Sequence, residues 1–221
     1  MHYDERSVSA ERRAWLAAAL VITLAYHPLT LGLARLTYRA WPHGLQLTGD
    51  ANWYRCAEFC FGLALAITTP RASGFTLGHP YRHWIALSLV TILPLAVIAA
   101  VYPRLPERPF AGYETGFWLL SAPGQELVYT GFLYGRFERL FSRRIFPRLD
   151  LPWAVPVTAL FFSLWHLQNF TSDAISARYV AFQLGYTFVG GVGHALIRHW
   201  TGSVLYPILM HMAVNWIAVQ P

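Results

Sequence analysis

Lysine is missing from this chain: all seventeen basic side chains among its 221 residues are arginines. Charge as a whole is scarce, 13% of residues against 55% hydrophobic, where soluble domains carry about a quarter charged. That scarcity excludes a sizeable soluble domain and points to a chain solvated largely by lipid. The formal charge of +6 does not mark a nucleic-acid binder, because the arginines sit in short segments between apolar runs, where membrane proteins keep them to set orientation. Cysteine is nearly absent. Cys56 and Cys60 lie four apart on one face of an apolar helix, a spacing for packing rather than for a disulfide or half a metal site. Internal repeats are lacking, which places a proton-relay transporter last among the function classes. No small-residue cleavage site follows a short apolar core at the N-terminus, so the first apolar run reads as a retained helix behind a cytoplasmic arginine anchor rather than as a signal peptide.

What the chain has in abundance is apolar sequence of spanning length. A membrane helix needs roughly 20 apolar residues, and seven candidates fall at about 14–36, 53–69, 84–102, 115–137, 152–170, 175–197 and 202–219. The fold class expected is all-α, a polytopic bundle of about seven transmembrane helices forming one integral membrane domain over 1–221, with N-terminal helices in 14–110 and a motif-bearing core in 115–219. Trp41, Trp53, Tyr81, Trp84, Tyr102, Tyr113, Trp153, Tyr179 and Trp200 mark the ends of these runs as an interfacial belt does. Pro28 and Pro94 fall inside spans, where kinks are tolerated. With the N-terminus in the cytoplasm, eleven arginines fall inside and six outside, and RFERLFSRRIFPR supplies five of the eleven.

Against this background a few polar residues stand out, since an ionisable group inside a span is costly unless it is paired or faces water. Glu126 lies in SAPGQELVYTGFLYGR, His166 in FFSLWHLQNF, and His211 with Asn215 in LYPILMHMAVNW. Phe162 and His166 are four apart, as are His211 and Asn215, so each pair shares a helix face. Turned inward together with Glu126, these faces gather a carboxylate, two imidazoles and an amide. A carboxylate with a histidine holds and deprotonates water, and a second histidine with an amide donates to an oxyanion. Two histidines and a carboxylate also suit zinc, but there is no HExxH and the groups come from three helices, so neither a metal nor another cofactor is expected. His194, in the glycine-rich GGVGHALIRH, reads as a structural histidine beside close-packing Gly190, Gly191 and Gly193.

These residues together resemble the CAAX-protease and bacteriocin-processing family of intramembrane endopeptidases, whose pattern is EExxxR, then FxxxH, then HxxxN or HxxxD on separate helices. Phe162 to His166 fits the second motif and His211 to Asn215 the third; Gly131-Phe132-Leu133 and TGSVLYPILMHMAVNW resemble the family's flanking sequence, so the likeness covers about 115–219. The resemblance implies that His166 takes part in water activation, that His211 and Asn215 form the oxyanion site, and that Phe162 lines the pocket. The first motif departs from the pattern: Gln125 stands where the first Glu belongs and Thr130 where the Arg belongs. An amide is no general base, so Glu126 is expected to be the base, with Gln125 positioning substrate or water and Thr130 hydrogen-bonding. Adjacent helical residues point about 100° apart, so Glu126 needs a local distortion to reach the water, with Pro123-Gly124 as the expected source.

The expected function is hydrolysis of a peptide bond in a membrane-associated protein or peptide, near its C-terminus, by a protease of the CAAX type in the inner membrane of a bacterium. The partners are then that substrate and the lipid bilayer, with no nucleic acid. The alternative is a non-catalytic relative that binds a membrane peptide or partner protein as an immunity or scaffold factor, for which Gln125 and Thr130 speak.

Overall fold

The computed structural model describes residues 5–40, 51–78, 84–101, 104, 116–171 and 175–219. Trp41, Tyr81, Tyr102 and Tyr113, assigned above to the interfacial belt, lie outside the described residues, as do two of the arginines counted there, Arg82 and Arg108.

Each of the seven apolar segments coincides with a helical rod. These are α1 (Glu5–Ala40), α2 (Ala51–Ile67), α3 (Trp84–Val101), a composite rod, α6 (Ala154–Trp165) continued by a 3-10 stretch (His166–Thr171), α7 (Ala177–Thr201) and α8 (Leu205–Val219). The composite rod runs from α4 (Gly116–Glu126) through a π-helical stretch (Leu127–Leu133) into α5 (Tyr134–Leu140). The chain is thus mainly helical, as the hydrophobic pattern requires. Among the described residues two stretches are long and apolar enough by themselves to cross a membrane: Val8–Ala40 at mean hydropathy 1.7 and Ala177–Thr201 at 1.3. The count of seven membrane crossings therefore does not follow from helix length and composition alone. Pro28, Pro94 and Pro123 all lie within helices.

A short antiparallel pair, β1 (Arg144–Phe146) with β2 (Leu151–Pro152), joins α5 to α6. This arginine-rich end is tied to the start of α1. Arg12 donates from Nε to the Leu140 carbonyl at 2.8 Å, and the Arg136 guanidinium sits 5.2 Å from the ring centres of Trp15 and Phe132. The basic residues at the start of α1 and those of α5 thus share one end of the fold.

Between the rods lies an aromatic core in which Tyr26, Tyr129, Leu133, Tyr134 and Phe137 are fully buried. The backbones of α2 and α4 touch where side chains are absent: a Cβ on Gly124 would lie 2.7 Å from the Glu58 carbonyl carbon, and one on Gly62 would lie 2.3 Å from the Gly124 oxygen. The proline-glycine pair preceding Glu126 therefore serves helix contact, and α4 stays α-helical through it.

One loop fixes the last two helices. Gly202 closes α7 in the left-handed conformation at φ 73°, its N–H bonding to the Arg198 carbonyl, and α8 begins three residues later. The segment after α2 wraps this turn. Arg198 Nη2 donates to the Ala72 carbonyl at 2.9 Å, Thr76 Oγ1 to the Gly202 carbonyl at 3.1 Å, and the Val204 N–H to the Gly74 carbonyl at 3.0 Å. Cys56 and Cys60 are free, Cys56 half-buried and Cys60 exposed.

Candidate active site

The fold's one fully buried carboxylate on α4 is Glu126, the last residue before the helix widens. The distortion expected at Pro123-Gly124 is found on the other side of the acid: Leu127–Leu133 winds as a π-helix, a form that appears as single-turn bulges and often at functional sites. It carries Thr130 back over the carboxylate. The Thr130 hydroxyl donates both to the Glu126 backbone carbonyl at 3.0 Å and to Oε2 at 2.7 Å.

The other carboxylate oxygen meets two imidazoles. His194 Nδ1 of α7 lies 2.6 Å from Oε1 and His211 Nδ1 of α8 lies 2.8 Å from the same atom. One oxygen carries at most one proton, so at least one of these imidazoles donates Nδ1–H to it. The sharp α7–α8 turn places the two rings side by side, 5.3 Å between centres. His211 is thus gathered onto Glu126, as its helix position led one to expect. His194 is a correction. It is no mere packing residue of the glycine ridge but the shortest contact Glu126 makes among the described residues. The ridge itself does close α6 onto α7: a Cβ on Gly191 would fall 3.1 Å from the Ala159 Cα. The one-turn spacing of His194 from Arg198 is visible in the sequence, but that both are buried on one face appears only in the fold.

Phe162 forms the floor. Its ring stands edge-to-face with His166 at 5.5 Å and His211 at 5.6 Å, and tilted to His194 at 5.9 Å. His166, at the point where α6 tightens into 3-10 geometry, has Nδ1 3.1 Å from the Phe162 carbonyl. A carbonyl only accepts, so Nδ1 bears the hydrogen and Nε2 of the neutral ring is left as a lone pair. His166 is buried in the same aromatic setting and makes no side-chain bond to Glu126 among the described residues. Asn215, one turn beyond His211, is half-buried and forms no side-chain hydrogen bond among the described residues.

Gln125 points elsewhere. Its Nε2 donates to Ser121 Oγ at 2.8 Å, and Ser121 also accepts from Arg55 Nη1 of α2 at 3.4 Å. Arg55 in turn binds Glu58 Oε2 at 2.6 Å. Glu58 is fully buried. This ion pair inside the second apolar segment went unremarked in the sequence because Arg55 reads there as an interfacial residue. It is a second buried polar cluster, on the neighbouring face of α4, and Gln125 belongs to it.

Glu126, His194 and His211 are also the described residues whose ligand atoms lie close enough to share a metal ion, all within 4.8 Å of one another. Two histidines and a carboxylate are the donor set of a hydrolytic zinc site; the 2.6 and 2.8 Å separations are equally those of charge-assisted hydrogen bonds.

Comparison with known proteins bears on the half of the chain that carries this cluster. Residues 110–217 match the family model described as type II CAAX prenyl endopeptidase Rce1-like. This segment belongs to the Rce1-like family. The Rce1-like segment contains Glu126, Phe162, His166, His194, His211 and Asn215, and the family is one of membrane-embedded proteases of the CAAX type. No curated protein and no solved structure matches the chain.

Proposed function

We propose that the protein is an intramembrane endopeptidase that hydrolyses a peptide bond near the C-terminus of a membrane-associated protein or peptide. The seven helical rods would then all cross the bacterial inner membrane, with the N-terminus and the arginine-rich α5–β1 end in the cytoplasm. The observation that carries the proposal is the convergence of His211 Nδ1 on Glu126 Oε1 at 2.8 Å, within the Rce1-like segment and around the Phe162 ring shared with His166.

The hydrogen bonds favour a division of labour that differs from Glu126 as direct base. Glu126 already faces two imidazole nitrogens at Oε1 and a hydroxyl donor at Oε2. A carboxylate so occupied is suited to orienting His194 and His211 and to balancing positive charge that develops in the pocket beside them. The water proton then passes to an imidazole Nε2. His166, its Nδ1 committed to the Phe162 carbonyl, is the ring that the family resemblance assigns to water activation; His211 holds the face beside it. Attack of the water oxygen on the scissile carbonyl places negative charge on the carbonyl oxygen, for which the His211 ring and the Asn215 amide are the candidate donors. The imidazolium returns its proton to the leaving amine. Gln125 contributes by anchoring α4 to α2.

The test is cleavage of an internally quenched, prenylated peptide by the purified protein in lipid nanodiscs. Cleavage that is lost in Glu126→Gln, His166→Ala and His211→Ala, with all three variants folded, supports the proposal. Gln125 in place of a carboxylate favours the second reading, a peptide-binding relative without catalysis, and binding of the peptide with no cleavage by the natural sequence would establish that reading instead.

A further inference from the structure

The first motif places a basic residue four positions after Glu126, and this chain has Thr130 there. We infer that His194 of α7 holds Glu126 in place from across the bundle, as a positioning residue for the reaction proposed above, on which the inference rests. Glu126 is fully buried with its Oε1 2.6 Å from His194 Nδ1, a shorter approach than the 2.8 Å of His211. A buried carboxylate that lacks compensating partners is strongly unfavourable. Thr130 contributes a hydroxyl to Oε2 at 2.7 Å and no charge. Among the described residues Arg198 binds the Ala72 carbonyl, Arg55 binds Glu58, and His166 Nδ1 faces the Phe162 carbonyl. His211 alone would have to anchor the carboxylate and serve the substrate together. With His194 on the same oxygen the anchoring is shared, which frees His211 for the scissile carbonyl.

Two further features fit this role. The π-helical stretch brings residue 130 onto Oε2, so a longer basic side chain at 130 reaches the carboxylate directly. Arg198, one turn along α7, is bonded to the loop that clamps the α7–α8 turn, so the position of His194 along its helix axis is fixed independently of Glu126.

The experiment is a compensation test: His194→Ala, and His194→Ala combined with Thr130→Arg, assayed on the quenched prenylated peptide. His194→Ala is expected to lower kcat by about 100-fold with KM within about twofold, the pattern of a lost transition-state arrangement. Adding Thr130→Arg is expected to recover at least about tenfold in kcat by restoring a charge-assisted donor to Glu126. Folded double variants no more active than His194→Ala overturn the inference, as does an unchanged kcat in His194→Ala. So does one zinc per chain in the natural protein that His194→Ala removes, since His194 would then be a metal ligand. Should His194→Ala fail to fold, His194→Gln with and without Thr130→Arg is judged by the same gain in kcat. If the natural protein cleaves nothing, the protease proposal falls, and the pairing is decided by thermal unfolding: Thr130→Arg restores part of the Tm lost in His194→Ala, or the inference is wrong.

Discussion

His194 and His211, seventeen positions apart and on two helices joined by a three-residue turn, present the same ring nitrogen to the same oxygen of Glu126, at 2.6 and 2.8 Å. A carboxylate bracketed in this way has little freedom of rotation, and Thr130 at 2.7 Å on the second oxygen removes what remains.

Glu126→Gln keeps the shape and loses the charge. An amide at this position cannot balance an imidazolium, and the expected loss in kcat/KM is at least about 100-fold, the scale of general acid–base assistance. Helix content by circular dichroism should be retained, which separates lost chemistry from lost fold.

Gln125→Ala should behave differently. Gln125 bonds to Ser121 and through it meets the α2 cluster, so its truncation is expected to cost about 1 kcal/mol of stability with kcat within a few-fold of the natural protein. Parallel Tm and turnover measurements check this; a loss of turnover as deep as that of Glu126→Gln would place Gln125 in the reacting pocket.

Arg55→Ala removes the counter-charge of a fully buried Glu58. Leaving one partner of such a pair behind costs about 3–5 kcal/mol, and Arg55→Ala with Glu58→Gln should be the more stable of the two variants. Denaturant titration in mixed micelles provides the comparison.

The cluster at the arginine-rich end of α5 predicts a pH response of stability. Glu138 lies just past the fourth apolar segment and is bonded to His199 at 3.1 Å. Burial raises its carboxyl, but the His199 hydrogen bond and the Arg198 charge outweigh it and hold the group below its ordinary value. A carboxyl lowered by folding contributes stability that is fully present above the ordinary range, near pH 4, and is lost as pH falls through the lowered value. The Tm should therefore decline on acidification below about pH 4, and the decline should be shallower in Glu138→Gln.

Gly124→Val tests the α2–α4 contact. A Cβ there meets backbone at 2.7 Å, which no side-chain rotation relieves, and overpacking of this kind costs about 1–3 kcal/mol. The expected readout is a lowered Tm together with a loss of activity, because the same crossing sets the height of Glu126.

Much of the fold is legible because spanning length and apolar composition are one-dimensional signals: all seven rods lie where the hydrophobic runs are. The four-residue spacings Phe162–His166 and His211–Asn215 marked two helix faces, of which the fold brings Phe162, His166 and His211 together around one ring. His194 was not legible, because nothing in GGVGHALIRH distinguishes a histidine that crosses to another helix from one that packs beside glycines. Arg55 and Glu58 were hidden for a related reason, since a three-residue spacing between opposite charges at a span's edge looks like an interfacial pair until neighbouring helices bury it. The π-helical stretch has no sequence signature of its own. It arises after Glu126, whereas the Pro123-Gly124 pair, which announces a distortion, lies before it, and Gly131 inside the stretch is a single glycine of the kind helices tolerate.

That stretch also settles a problem of phase. The upstream part of the composite rod is locked to α2 at Gly124, and the downstream part is locked to the loop after α2, where a Cβ on Gly135 would strike the Ala72 oxygen at 2.2 Å. A uniform α-helix fixes the angle between its two ends by residue count alone. Widening Leu127–Leu133 takes up the angular remainder, so one rod can seat both ends in separate partners while turning Glu126 toward the histidines. Removing one residue from that stretch would advance the downstream end by about 100° and unseat it without touching any of the groups around Glu126 Oε1.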